Sequence, residues 1–282
     1  MFEHHTLCAL HPAVRALCAA LRAGSRLGAV ALMLVLFSVN DPPITVYTLV
    51  PTFLVVVFLP EVYARLGARI FAGSVEIGDG RLSVERPGRR VEVPCASISG
   101  VSPWRVPWPL PGVTLRLASG TRFPERLALR NPAPLLESLA AHGVAAAQSA
   151  LASPSIVYAS ARAAWPRRFW ASAWCKVGLF SLLPAAIGFN AHQHIAFGAF
   201  LGEYYLMGPA AWLSTAAEYW LTALTYLALW SGLFRTGVEG LSLGVAWLAP
   251  EWAGGARRFA ERAATPLFYL SVPALLGVRF LA

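Results

Sequence analysis

The sequence predicts an α-helical integral membrane protein with about four to five spans and an inserted cytoplasmic β domain. Two observations carry this prediction. First, 57% of the residues are hydrophobic and only 13% are charged, whereas roughly 25% are charged in a typical soluble domain, so the bilayer must solvate much of the chain. Second, residues 71–143 interrupt the apolar blocks with short alternating runs and turn dipeptides, which is the pattern of half-buried antiparallel strands.

These observations divide the chain into four predicted segments. They are an N-terminal helix with a transmembrane hairpin (1–70), the β domain (71–143), a linker with an interfacial segment (144–169), and a C-terminal membrane region with two or three spans (170–282). The first residues lack the apolar core and the cleavage site of a signal peptide. We therefore expect an uncleaved N-terminus, with a short amphipathic helix that leads into the first span.

The hairpin consists of two apolar runs, Leu27–Val39 and Ile44–Tyr63, which the turn Asn40–Pro43 separates. The first run reaches spanning length only with the helix before it, and the second contains Pro51. The turn holds only Asp41, whereas arginines flank both ends of the hairpin, namely Arg15, Arg22, Arg26, Arg65 and Arg69. Because positive residues collect on the cytoplasmic side, we place the N-terminus and the β domain in the cytoplasm.

The β domain is predicted from six strands, at Ser74–Ile77, Arg81–Arg86, Arg89–Pro94, Ile98–Val101, Val113–Ala118 and Arg122–Leu129. The turns between them fall at Gly78-Asp79-Gly80, Pro87-Gly88 and Ser119-Gly120. Asn131-Pro132 is typical of a helix start, and Gly143 of a helix end, so a helix is expected over Ala133–His142. Short strands closed by one helix indicate a small barrel.

Several of these runs together resemble the bacterial pleckstrin-homology-like (bPH) domains. The runs are Val75-Glu-Ile-Gly-Asp-Gly-Arg-Leu-Ser-Val84, Val91-Glu-Val-Pro94, Ile98-Ser-Gly-Val101 and Gly112-Val-Thr-Leu-Arg-Leu-Ala-Ser-Gly120. In that family the domain commonly follows a transmembrane hairpin. The resemblance implies a split β-barrel capped by one helix, and a role in association and membrane-proximal scaffolding. It brings no active-site residue. The insert Ser102–Gly112, rich in proline and tryptophan, departs from an ordinary strand.

The C-terminal region begins with Trp165-Pro-Arg-Arg-Phe-Trp170, an aromatic and cationic run of the kind found at membrane interfaces. A third span is predicted over Ala171–Phe189, an outer loop over Asn190–Gly208, and a fourth span over Pro209–Phe234. Pro266–Phe280 forms either a fifth, short span or an interfacial helix. The side of the C-terminus stays open.

Two groups of polar residues are candidates for chemistry. Glu218 lies inside the fourth span, where a carboxylate is costly and therefore a functional candidate; the alternative is a hydrogen-bonded acid facing a neighbouring helix. His192 and His194, together with Glu203, have the ligand types of a zinc or copper site. Nothing else in the chain has ligand spacing, so histidines in a wet outer loop account for them better, and we predict no metal. Cys8, Cys18, Cys95 and Cys175 are scattered and indicate neither a disulfide framework nor a zinc site.

The residues that we expect to make contacts lie in the insert and in the interfacial run: Trp104, Arg105, Trp108, Trp165, Arg167, Arg168 and Trp170. The net charge of +9 does not predict nucleic-acid binding, because the arginines lie beside apolar blocks and form no single basic face. Within the β domain, nine arginines outnumber five acids between residues 71 and 131, which favours anionic lipid headgroups.

The predicted function is a non-enzymatic scaffold or accessory subunit of the bacterial inner membrane, which binds a larger membrane complex. Its expected partners are membrane lipids and other integral membrane proteins, with no catalytic residue and no cofactor. Two alternatives stay open. One is a small transporter or membrane-embedded enzyme that uses Glu218 and the His192/His194 segment. The other is a regulator that responds to headgroup charge through the barrel. Whether a pigment, haem or quinone binds is also open.

Overall fold

A computed structural model describes residues 3–9, 12–38, 46–70, 72–86, 89–107, 110–166 and 168–281. Trp108 and Arg167, two of the residues predicted to make contacts, lie outside the described residues. The same holds for the predicted turns Asn40–Pro43 and Pro87-Gly88.

Most of the chain is helical. The first half contains α1 (Pro12–Ser38), α2 (Val46–Phe53) and α3 (Leu59–Ile70), and a π-helical turn, Leu54–Phe58, joins the last two. Three short helices follow the strands: α4 (Ala133–Ala141), α5 (Ala145–Leu151) and α6 (Pro154–Ala163). The remainder contains a π-helical turn (Trp174–Leu179), α7 (Leu182–Phe197), α8 (Gly202–Met207), α9 (Pro209–Leu248) and α10 (Ala253–Leu281).

By length and composition, three helices in the described part of the chain are able to cross a membrane. They cover Ala13–Leu36, Tyr47–Gly67 and Trp174–Phe197, and they correspond to the first three predicted spans. The second span contains Pro51, and its π-helical turn lies directly downstream. Proline removes a helical hydrogen bond, and a local change of helix geometry can satisfy the freed backbone groups.

The sheet contains seven antiparallel strands in the order β4-β3-β2-β1-β7-β6-β5. Their bounds are β1 Glu3–Ala9, β2 Ala72–Gly78, β3 Arg81–Arg86, β4 Arg89–Pro94, β5 Ile98–Pro103, β6 Gly112–Leu117 and β7 Leu127–Leu129. Without β1 there would be two three-stranded sheets, because β1 pairs with β2 on one side and with β7 on the other. β4 and β5 are the edges, so the strands form an open sheet.

β1 differs from the sequence-based expectation, which was a short amphipathic helix at the N-terminus that leads into the first span. The other strands lie close to their predicted positions, except that the strand expected over Arg122–Leu129 is reduced to β7 and an isolated bridge between Arg122 and Arg116. The turn predicted at Gly78–Gly80 is present, with φ of 52° at Asp79 and 70° at Gly80. Such positive φ values are typical of a two-residue hairpin turn.

One face of the sheet and helices α4 to α6 enclose a common apolar core. Alternate strand residues point into it, for example Leu82 and Val84 of β3 and Val113 and Leu115 of β6. Leu135, Leu136 and Leu139 of α4 complete the core and are fully buried. Each such side chain stabilises the folded chain by roughly 1.5–3 kcal/mol. The side chain of Asn131 accepts a hydrogen bond from the Ala133 amide at 3.2 Å, so it acts at the start of α4 as expected.

Three stretches differ from the sequence-based expectation. The predicted linker contains α5 and α6. The predicted outer loop Asn190–Gly208 is largely helical, since α7 continues to Phe197 and α8 follows. Finally, α9 runs for 40 residues through Leu248, a length of about 60 Å at roughly 1.5 Å per residue. Glycines lower helix propensity only modestly, so those at 237, 240 and 244 do not end α9.

The described chain divides into two compact units. Unit 1 contains residues 1–23, 60–166 and 238–261, and therefore the whole sheet with α4 to α6. Unit 2 contains residues 24–59, 167–237 and 262–282, and therefore most of the apolar helical chain. Helices α1, α9 and α10 each contribute residues to both units.

Candidate functional site

The predicted insert forms the connection between β5 and β6 and borders a small cavity in unit 1. The cavity has a volume of about 240 Å³, and Ser102, Trp104, Thr114, Arg116 and Arg122 contribute to its lining. Pro103 of β5 pairs with Val113 of β6, and the Trp104 amide donates to the Gly112 carbonyl at 2.9 Å. The strand pairing thus holds both ends of the insert.

Trp104 is packed into unit 1 as well as facing the cavity. Its indole Nε1 donates to Thr114 Oγ1 at 3.0 Å, and its ring lies against Gly112, where an added Cβ would come within 2.7 Å of a ring carbon. Glycine at 112 is therefore what allows the indole to approach the backbone. The guanidinium of Arg15 stacks on the same ring, 3.5 Å from its centroid, in a cation–π contact. In contrast, Arg105 and Val106 are exposed.

A second polar cluster holds α6, α9 and α10 together in unit 1. Arg257 is almost fully buried, and its guanidinium donates to Glu239 Oε2 at 2.9 Å and to Glu261 Oε1 at 2.5 Å. Glu239 also accepts a hydrogen bond from the Tyr158 hydroxyl and lies 3.5 Å from Arg162. Two buried carboxylates thus share one buried guanidinium, with one phenol and one half-exposed arginine at the edge.

The surroundings of this cluster shift the pKa of its members. Burial and the neighbouring Glu239 carboxylate raise the pKa of Tyr158 to about 12, because both disfavour the phenolate. For Arg257, burial alone would lower the pKa, but the hydrogen bonds and the charges of Glu239 and Glu261 raise it above its usual value. The cluster therefore consists of a neutral phenol, two carboxylates and a permanent cation. Such an arrangement holds α6, α9 and α10 in place.

This cluster was not predicted from the sequence. Glu239 lies beyond the end of the predicted fourth span, and Tyr158 lies in the predicted linker. One signal was available, because Arg257 and Glu261 are four residues apart and therefore on one helix face. Nothing in the pattern, however, indicated that this face would be buried against Glu239.

The interfacial run Trp165–Trp170 is largely exposed. Trp165 is half-buried, whereas Arg168, Phe169 and Trp170 are exposed. Trp170 and the nearby Trp174 expose 66% and 67% of their surface. The backbone carbonyl of Trp170 accepts a hydrogen bond from Tyr269 at 2.9 Å, so its position does not depend on the indole. Large exposed aromatic side chains next to a span fit a lipid or protein contact.

Glu218 lies near the start of α9 in unit 2. The hydroxyl of Tyr47 is 3.3 Å from its Oε2 and 3.5 Å from its Oε1. Tyr47 is the first residue of the second candidate span and is well exposed. The carboxylate therefore lies beside the first residue of the second candidate span.

The histidines and Glu203 do not converge. The side chains of Gln193 and Thr215 donate to Glu203, at 2.5 Å and 2.7 Å. His194 Nδ1 lies 2.9 Å from the Asn190 carbonyl, and His192 packs on Phe197 and Tyr219. In the described part of the chain, no group of three His, Cys, Asp or Glu side chains is placed to hold a metal ion. Glu203 instead holds α8 to α7 and α9.

The cysteines whose side chains are described, Cys18, Cys95 and Cys175, are free and buried. Burial raises the pKa of the Cys95 thiol, which disfavours the reactive thiolate.

Comparisons with protein-family models, with curated proteins and with solved structures found no match to this chain. Its function therefore has to be inferred from its side chains and their geometry.

Proposed function

We propose that this protein is a non-enzymatic scaffold or accessory subunit of the bacterial inner membrane that binds or stabilises a larger membrane protein complex. The observation that carries this proposal is the pairing of β1. β1 precedes the first candidate span, whereas β2 follows the second, and the two strands pair over six residues. Both ends of the predicted hairpin therefore enter one sheet. A domain tethered at two points keeps its exposed surface close to the membrane, as a scaffold requires.

The same proposal includes the fold of the β domain, its side of the membrane and the number of spans. We propose that the seven strands and α4 form a PH-like split barrel on the cytoplasmic side, with four or five spans in the whole chain. The strand order, in which β1 joins two three-stranded halves, supports this proposal. So does the leucine face of α4 in the sheet core. The arginines at both ends of the hairpin support the cytoplasmic side.

The surface most suited to a protein partner is the exposed aromatic run that contains Trp170. Tryptophan and arginine are enriched among the residues that dominate binding energies, and Arg168 and Trp170 are both exposed. Trp170→Ala removes the indole but keeps the carbonyl that Tyr269 uses. The fold of unit 2 should therefore tolerate the substitution.

The test is purification of the full chain at native expression in a mild detergent. We expect another membrane protein to co-purify in stoichiometric amount, and Trp170→Ala to lower its retention about 30-fold or more, since such an interface residue contributes roughly 2 kcal/mol. Trp252→Ala, at a residue of similar exposure (68%), serves as the control. Recovery of a lone monomer would contradict the proposal.

The alternative is a small transporter or membrane-embedded enzyme that uses Glu218 and the His192/His194 segment. These groups make separate contacts, since Glu218 bonds Tyr47 and His194 faces the Asn190 carbonyl. Glu218→Gln distinguishes the two proposals. A transporter should lose flux with its abundance unchanged, whereas a scaffold should retain its partner.

A further inference from the structure

We propose that the cavity between β5 and β6 binds the phosphate group of an anionic phospholipid. This inference is independent of the protein partner proposed above. It goes beyond a general attraction between basic residues and a membrane, because it assigns one site with defined donors. The cavity, at about 240 Å³, is smaller than the roughly 300–1,000 Å³ of pockets for drug-sized ligands. A phosphate group fits, and the acyl chains would stay outside.

Two arginines that line this cavity lie opposite each other, and no carboxylate of the described residues neutralises their positive charges. Arg116 of β6 and Arg122, which follows β6 outside the named strands, form an isolated antiparallel bridge, so their side chains lie opposite one another on the same face. Like charges directly opposite each other are destabilising. Neither guanidinium has a carboxylate partner within the described part of the chain. A phosphate between them would replace this repulsion by charge-assisted hydrogen bonds, which guanidinium groups form well with phosphate oxygens.

The other polar groups at the cavity are also able to donate hydrogen bonds. Thr114 Oγ1 accepts from the Trp104 indole, so its own hydroxyl hydrogen is directed elsewhere. Ser102 contributes a second, exposed hydroxyl. Guanidinium and hydroxyl donors around one small cavity suit an anion with several acceptor oxygens. They do not suit a cation.

The position of Arg15 indicates that the phosphate comes from a lipid. Arg15 stacks on Trp104, and it belongs to the first turn of a candidate span that begins at Ala13. The cavity residue Trp104 is thus in contact with the first turn of a helix that is able to cross a membrane. Inorganic phosphate shares the same chemistry, and the experiment has to separate the two sources.

The test uses the full chain purified in a non-ionic detergent, with dioleoylphosphatidylglycerol or dioleoylphosphatidylcholine added and the bound lipid counted by native mass spectrometry. We expect one phosphatidylglycerol per chain to be retained in preference to phosphatidylcholine. Arg116→Gln with Arg122→Gln should lower this retention about 100-fold, since each charge-assisted hydrogen bond to the phosphate contributes roughly tenfold or more. The matching Lys variants should retain an intermediate amount, because they keep the charge but lose the bidentate geometry.

The matched control is Arg69→Gln with Arg89→Gln, which removes two exposed arginines elsewhere in unit 1. Equal loss of lipid in both pairs would overturn the proposal, because the attraction would then be nonspecific. Displacement of the lipid by an equal amount of inorganic phosphate would overturn the lipid assignment.

The melting temperature of each variant without lipid distinguishes a loss of binding from a loss of folding. It should not fall in the Arg116/Arg122 variant, because removing like charges relieves repulsion.

Discussion

At the scale of single residues, the buried groups of unit 1 are arranged to hold helices together. The guanidinium of Arg257 forms ion pairs with Glu239 and Glu261, and the hydroxyl of Tyr158 donates a further hydrogen bond to Glu239. A buried charge is tolerated when it is paired and hydrogen-bonded, and becomes costly when its partner is removed. Two predictions follow from this asymmetry.

The first concerns Arg257. We expect Arg257→Met to lower the free energy of unfolding by about 3–5 kcal/mol, because two buried carboxylates would lose their shared cation. Thermal unfolding of the full chain in detergent, followed by circular dichroism, measures the change. The neighbouring Arg258 is exposed, so Arg258→Met should leave the melting temperature nearly unchanged. If both variants melt alike, the cluster does not stabilise unit 1.

The second concerns the pH dependence of Tyr158. Its pKa is raised to about 12 in the folded chain, whereas an unfolded tyrosine titrates near 10. The stabilisation is therefore fully present below about pH 10 and is lost as the pH rises toward 12. We expect the difference in melting temperature between the natural chain and Tyr158→Phe to be constant from neutral pH and to shrink over this window. A difference that stays constant through the window would show that the phenol does not titrate as inferred.

The exposed Tyr205 provides the control for this measurement. Tyr205→Phe should leave the melting temperature at neutral pH the same as in the natural chain, because the Tyr205 side chain contacts only the ring of Tyr204 among the contacts described.

At the scale of elements, β1 is the strand on which the sheet depends. Leu7 pairs with Gly73 of β2 and with Leu129 of β7, so its backbone lies between two partners. Proline lacks the amide hydrogen that a central strand needs. We expect Leu7→Pro to separate the two halves of the sheet and to speed amide exchange at those residues of β2 and β7 that pair with β1, as hydrogen exchange by mass spectrometry would measure. Val106→Pro, at an exposed residue outside the sheet, should preserve it.

Two helical glycines should respond in opposite directions to alanine. At Gly240 of α9 a Cβ meets open space, so Gly240→Ala should raise the free energy of unfolding by about 0.5–1 kcal/mol. At Gly28 of α1 a Cβ would collide with the side chain of Val56, so Gly28→Ala should lower the melting temperature. Small residues permit such close approach of membrane helices. A gain in stability at both sites would contradict the close packing of α1 on the π-helical turn.

At the scale of the whole molecule, the proposed topology predicts which residues water-soluble reagents reach. The test uses two variants with a single cysteine each, at Ser119 in a turn of the sheet or at Ala199 between α7 and α8. In both variants the natural cysteines are replaced, namely Cys8, Cys18, Cys95 and Cys175. A membrane-impermeant maleimide should label Ala199→Cys in intact cells, and Ser119→Cys only after the cells are opened, because arginine-rich ends face the cytoplasm. The reverse labelling pattern would show that the chain has the opposite orientation in the membrane, and it would not contradict the fold.

Features that depend on neighbouring residues were predicted from the sequence, whereas features that join residues distant in sequence were not. Strands β2 to β6 were predictable because alternation and turn dipeptides are local, and the three candidate spans because apolar length is local. β1 was not predictable, since its partners β2 and β7 lie on the far side of the hairpin. The end of the third span was missed for a related reason: Gln193 is polar, but its bonds to Glu203 allow α7 to bury it.

The sequence by itself determined the membrane class of this protein, the hairpin followed by a β domain, and the insert that contains Trp104. These follow from composition, apolar length and period-two alternation, which each segment carries without reference to the others. Only the tertiary structure decided that residues 3–9 complete the sheet, that Glu239, Arg257 and Glu261 form one buried cluster, and that Arg116 and Arg122 face each other at a cavity. The reason is physical: each of these features arises from groups distant in sequence, whose meeting depends on strand register and helix packing.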